Sequence, residues 1–206
     1  MNILGINCAT EHLCVALLKD ETLTERSWDG QTIKAEHLLS FIQEVLSAAQ
    51  ATLADVQAIA LAIGPGAFTG LRLSCVTAKT ICLEKNIPLI PISTLEALQV
   101  HHAPDKKIRI VLDACRGDVS TALFDHGARL ELDHPVPRAT VSDFTEEILD
   151  NPIADAATLC YIARDSKPLF DKHAILKISP LYSHESRINK TNKPELQHLK
   201  IGTTLC

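Results

Sequence analysis

At 206 residues the chain is long enough for one large domain or two small ones, and 46% hydrophobic with 22% charged content is enough for a real core. A net charge of -5 argues against a protein that grips nucleic acid by itself, because neutralising phosphates takes a surplus of Lys and Arg, although it leaves room for a local basic patch. No run approaches the ~18 apolar residues of a membrane span, and MNILGINCA lacks the basic stretch of a signal peptide, so a cytoplasmic protein is expected.

The first elements follow from hydrophobic period. ILGINCA (3–9) and LCVALLK (13–19) are apolar runs joined by a turn, and read as a hairpin. TLTERSW (22–28) alternates less and reads as an edge strand. KAEHLLSFIQEVLSAAQ (34–50) repeats Leu38, Ile42, Val45 and Ala49 at helical spacing. AIALAI (58–63) is apolar throughout, as in a strand covered on both faces. A Gly-Pro-Gly loop follows, then a helix over 69–85 with Leu71, Cys75, Ala78 and Cys82 in step. PLIPI (88–92) reads as a strand, and Ser93 with Glu96 as a capping box opening a helix over 94–102. The order βββαβαβα describes an α/β layer on a mixed sheet.

After the polar break APDKK (103–107) the pattern restarts. With a constant offset of 106 and no gap, Asn7 meets Asp113, Ala16 meets Ala122 and Leu17 meets Leu123, which implies two halves of one ancestral fold with a cleft between them. The expected domains are 1–103, carrying partner-binding helices, and a smaller 104–206 ending in a polar tail. Within the second half a helix is expected over 140–150, with strands over 157–163 and 173–178. The tail 183–206 reads as an extended arm or an ill-packed helix.

The cysteines are Cys8, Cys14, Cys75, Cys82, Cys115, Cys160 and Cys206. An odd number without C-x-x-C signals neither a disulfide framework nor a zinc site, and nothing in the sequence supplies Cys8 with a base. The nine histidines contain no pair at i,i+4. The glycine loop keeps three readings: a structural turn, a loop that binds nucleotide without hydrolysis, and a catalytic loop. The residues that would touch an anion or nucleotide are Gly64, Gly66, Thr69 and Arg72, with Asp113 from the second half. Leu38, Leu39, Phe41, Ile42, Val45 and Leu46 give the first helix more apolar width than a stripe of ~100° needs, so a partner interface is expected there, joined by Leu71 and Cys75.

ILGINCATEHLCVALL, AIALAIGPGAFTGLRLSCVTAK, IPLIPISTLEAL, IRIVLDACRGDVSTALF and PLY, in this order, resemble the bacterial TsaB (YeaZ) family. The resemblance covers residues 1 to about 125 well, and G-P-G-[SA]-F-T-G-L-R is its most specific block. It implies two RNase H-like halves of the actin/Hsp70/sugar-kinase type, here with the second half reduced. It also implies work on threonylcarbamoyladenosine, made beside the anticodon of tRNAs that read codons starting with A. The partners implied are a metal-dependent TsaD-like transferase and a TsaE-like ATPase, with a homodimer when alone and tRNA met only through the complex. In TsaD-like chains two histidines at i,i+4 follow the Ile-Pro strand and hold a metal. Thr94 and Leu98 occupy those places here, so no metal or cofactor and no catalytic residue is expected. Asn7 stands where family members often have Asp, which weakens a kinase-like or ATPase reading, the main alternative. A protease finds no Ser-His-Asp or metalloprotease motif, and a homodimeric interaction protein with another client is the remaining rival.

Overall fold

The computed structural model describes residues 1–10, 12–28, 35–114, 117–131, 133–153, 155–166 and 170–183. Cys115, Cys206 and the tail from 184 onward lie outside the described residues. The first sheet runs β3-β2-β1-β4-β5, from β1 (Ile3–Asn7), β2 (Leu13–Lys19), β3 (Thr22–Trp28), β4 (Ala58–Ala62) and β5 (Leu89–Ile92). The meander β1–β2–β3 is antiparallel, whereas β4 and β5 join parallel to β1 through α1 (Ala35–Ala48) and α2 (Phe68–Lys85). The second sheet repeats the scheme in shorter form: β6 (Lys107–Asp113) and β7 (Asp118–Asp125) pair antiparallel, β8 (Ala128–Arg129) and β9 (His134–Pro137) both add to β7, and β10 (Ile148–Asp150) joins β6 in parallel. These are two RNase H-like halves of the actin/Hsp70/sugar-kinase type, the second reduced.

The two faces of the first sheet differ in side-chain size, and this decides what covers each. Leu4, Ile6, Val15, Leu17, Ile59 and Leu61 point to one face and form a core with α1 and α2. Ala16, Ala58, Ala60 and Ala62 point to the other, where α3 (Thr94–His102) and α4 (Ala156–Asp165) fill the space between the two sheets. The small residues let α4 approach closely. A Cβ added at Gly5 would lie 2.4 Å from the Ala156 carbonyl oxygen and 2.8 Å from Cys160 Sγ. The last helix, α5 (Lys172–Lys177), packs on α2.

Four expectations for the chain's local structure are corrected. The stretch 157–163, expected as a strand, belongs to α4. The Asp155 carboxylate caps it by accepting from Thr158 N at 2.8 Å, and Ala156, Leu159, Cys160 and Ala163 are buried at helical spacing. A short apolar run does not itself separate a buried strand from a buried helix, and the cap decides. The stretch 173–178, also expected as a strand, is mostly α5, with Asp171 accepting from His173 N. The expected helix over 140–150 is a 3₁₀ turn (Arg138–Asp143) followed by β10, because the open edge of β6 takes Ile148–Asp150 into the sheet. The Ser93–Glu96 capping box does not form. Ser93 is the N-cap of α3 but makes no side-chain cap, and its hydroxyl donates to Asp133 at 3.3 Å.

The repeat also needs one adjustment. The first hairpin closes at Asn7–Cys14 and the second at Asp113–Val119, so the loops hold six and five residues. A one-residue gap is therefore required where the sequence comparison used none.

Candidate functional site

Two concave surfaces include residues singled out from the sequence. One is a groove between α1 and α2, and the other is a cleft between the two halves.

The groove has a volume of about 540 Å³. Its walls are Leu39, Ile42 and Leu46 of α1, Leu53 of the following loop, and Val76, Thr77, Thr80 and Ile81 of α2. Leu39 is 58% exposed and Val76 66% exposed. Two large apolar side chains on adjacent helices thus stand well into solvent at the rim of one groove. The eight expected interface residues divide by burial. Leu39, Ile42 and Leu46 line the groove, Ile42 and Leu46 as its nearly buried floor. Phe41 is half-buried and turned away from the groove, packing against the core beneath the helix. Leu38, Val45, Leu71 and Cys75 are withdrawn from the interface, because they are buried in the chain's own core. Val76, Thr77, Thr80, Ile81 and Leu53 were missed. The available signal was that Val76 and Ile81 are apolar yet fall off the Leu71–Cys75–Ala78–Cys82 stripe.

The cleft has a volume of about 690 Å³ and is lined by Thr10, His12, Gly66, Asp113, Asp118, Arg138 and Asn151, among others. Of the five expected anion contacts it gathers only Gly66 and Asp113. Arg138 lines the cleft, and its guanidinium is engaged by Asp150 at 2.5 Å and 2.7 Å, with Asp113 at 3.5 Å. Phosphate entering here would meet Asp113 and Asp118 beside an arginine already neutralised. Asn7 is buried, and its side-chain oxygen accepts from Ala9 N at 3.0 Å.

The glycine loop packs chain against chain. Gly64 has φ +115°, and a Cβ there would lie 2.3 Å from the Leu181 carbonyl oxygen; at Gly66 it would lie 1.9 Å from the Ala9 carbonyl oxygen. Ala67 N donates to Ala9 O, and Leu181 N donates to Ile63 O at 2.7 Å. Gly64, Thr69 and Arg72 do not line the cleft. Thr69 is exposed, and Arg72 turns toward Phe68 and Tyr182.

A metal held as in TsaD-like chains does not fit. Thr94 and Leu98 are both fully buried in the core, and the Thr94 hydroxyl has no hydrogen-bond partner among the described residues. No group of three His, Cys, Asp or Glu that could hold a metal occurs among the described residues. Burial pushes the Cys8, Cys14, Cys82 and Cys160 thiols up to about 12, so their thiolates are scarce at neutral pH. Among the described residues no helix is long and apolar enough to cross a membrane.

The family model described as "TsaD: tRNA N6-adenosine threonylcarbamoyltransferase" matches residues 33–150, more than half of the chain. The chain belongs to this family, on its TsaB (YeaZ) branch. It is 35% identical over 95 residues to the tRNA threonylcarbamoyladenosine biosynthesis protein TsaB of Escherichia coli (strain K12), covering 46% of this chain and 41% of that one. It is 29% identical over 160 residues to the TsaB of Bacillus subtilis (strain 168), covering 74% and 69%. The chain thus spans under half the length of the Escherichia coli relative it matches. The solved structure titled "YeaZ from Pseudomonas aeruginosa" superposes with a TM-score of 0.73 at 19% identity, over 88% of this chain and 99% of that one. A second, described as an uncharacterized protein with similarity to peptidase YEAZ from Pseudomonas aeruginosa, gives 0.76 at 18%, over 89% and 99%. Both likenesses are of fold.

Proposed function

We propose that the chain is a non-catalytic subunit of the machinery that installs threonylcarbamoyl on tRNA adenosine, and that it acts by docking a TsaD-like transferase subunit in the α1/α2 groove. The single observation that carries this reading is the groove itself. It is more apolar than the cleft, is flanked by the exposed Leu39 and Val76, and lies on the face of the first sheet opposite α3 and α4. Family membership supports the pathway, and the buried Thr94 and Leu98 support the absence of a metal-dependent transferase site in this chain. On this reading residues 1–103 form the partner-binding domain and 104–206 the smaller one. The same groove pairs two copies when the transferase subunit is absent. A TsaE-like ATPase joins the assembled pair, and tRNA is met only there.

Sedimentation of the chain alone, and mixed with the TsaD-like subunit of the same organism, tests the proposal. A heterodimer that forms at the expense of the homodimer is the expected result. A stable homodimer coexisting with a bound transferase subunit would place the two contacts on different faces and defeat the reading.

A further inference from the structure

The exposed ridge of α2 does not end at the groove. Phe68, Arg72, Val76 and Thr80 follow one another at i,i+4 and all are exposed, so the groove wall at Val76 and Thr80 continues toward the N-terminus of the helix. Arg72 lies one turn from Val76 and is held in place from two sides. Its guanidinium carbon sits 3.7 Å from the Phe68 ring centroid, and its Nε donates to the Tyr182 hydroxyl at 3.0 Å. The two rings are themselves 5.0 Å apart, and Tyr182 is anchored by its neighbour Leu181, whose amide donates to Ile63 O.

This arrangement leaves a defined edge. With Nε committed to Tyr182, the end-on pair Nη1 and Nη2 has no acceptor among the described residues. That pair is the fork that receives a carboxylate with two parallel hydrogen bonds. An arginine already ordered by stacking and by an internal bond loses little rotamer entropy on binding, which is how a surface charge becomes an anchor. We propose that Arg72 is a pre-oriented carboxylate receptor: when the TsaD-like partner fills the groove, an Asp or Glu of that partner seats end-on against Nη1 and Nη2. Tyr182 is the positioning residue, acting through Arg72. The inference rests on the groove being the partner site and adds the chemistry that fixes the partner's register along α2. A protein carboxylate fits better than RNA, because the ridge around Arg72 is apolar and the chain carries net negative charge.

Calorimetric titration of the TsaD-like subunit into full-length chain, at low and at high salt, tests it with four variants. Arg72→Met is expected to weaken binding by about 10- to 100-fold at low salt and to flatten the salt dependence. Arg72→Lys should recover part of the loss, since it keeps the charge without the fork. Tyr182→Phe should cost only a few-fold, because the fork remains. Val76→Asp should weaken binding roughly a hundredfold through the groove wall itself. If Arg72→Met binds like wild type while Val76→Asp does not, the receptor is refuted and the groove stands. If Val76→Asp also binds like wild type, the groove reading falls with it. Equal losses from Arg72→Met and Tyr182→Phe, without a change in salt dependence, would mean that Arg72 only fastens the segment around Tyr182. Loss of tRNA binding by the chain alone in Arg72→Met, with partner affinity intact, would assign the ridge to RNA and also overturn the proposal.

Discussion

A carboxylate introduced at Val76 separates docking from folding. Val76 is 66% exposed, so Val76→Asp removes little buried area in the free chain, and the two residues have similar helix propensity. The expected change in folding stability is within about 0.5 kcal/mol. In the complex the same carboxylate would be enclosed by the apolar walls formed by Leu39, Leu46 and Ile81, at a cost of several kcal/mol if unpaired. A penalty of ~3 kcal/mol weakens association roughly a hundredfold. Leu46→Glu makes the instructive contrast. Leu46 is only 6% exposed and belongs to the core under α1, so a glutamate there removes packing and buries a charge. Its loss should be ~2–5 kcal/mol of stability before any partner is added. Sedimentation with the TsaD-like subunit, beside thermal melts followed by circular dichroism, distinguishes the two. A Val76→Asp chain that melts like wild type and still binds as tightly would refute the assignment of the groove.

Other consequences are tested separately. Gly5→Ala places a methyl 2.4 Å from a backbone oxygen of α4, so urea unfolding should show a loss of about 1–3 kcal/mol; an unchanged midpoint would mean that α4 can move off the sheet freely. Hydrogen bonds from Arg109, which is 4% exposed, hold the Glu131 and Glu146 carboxyls below the ordinary glutamate range. Their contribution is complete above the unfolded value of about 4.3 and is lost as pH falls through the lowered folded values. The acid limb of a melting-temperature profile should therefore flatten in Glu131→Gln/Glu146→Gln, and an unaltered limb would contradict this. Phosphate release from ATP by the chain alone should stay well below the ~1 per second of working enzymes, given the acidic cleft; turnover that disappears in Asp113→Ala would contradict it.

The first half was legible in the sequence because each element carries a full period. β4 is apolar throughout and β1 is so up to its last residue, Asn7, and the helical stripes of α1 and α2 run for several turns. The second half misled where elements are short. In α4 the deciding residue is Asp155, two positions ahead of the run 157–163, and reading from the run alone missed it. In 138–150 local helical pattern competed with the open edge of β6, a partner distant in sequence, and the sheet prevailed. The site was legible only in outline. Excess apolar width on α1 pointed to a helix that lines the groove, but width alone does not rank exposure, so Leu38 and Val45 were grouped with Leu39. Arg72 was read toward the cleft because the glycine loop precedes it. Its actual partner, Tyr182, lies far along the chain, beyond the reach of any local pattern.

The central claim is that the chain serves through its groove and not through its cleft. Reconstituted tRNA modification measures this most directly, with the TsaD-like subunit, the ATPase and the threonylcarbamoyl donor supplied, and threonylcarbamoyladenosine quantified by mass spectrometry of the digested tRNA. A chain carrying Asp113→Ala in the cleft should support modification at the wild-type rate, and a chain carrying Val76→Asp in the groove should not. Full activity from Val76→Asp together with loss of activity in Asp113→Ala would contradict the account.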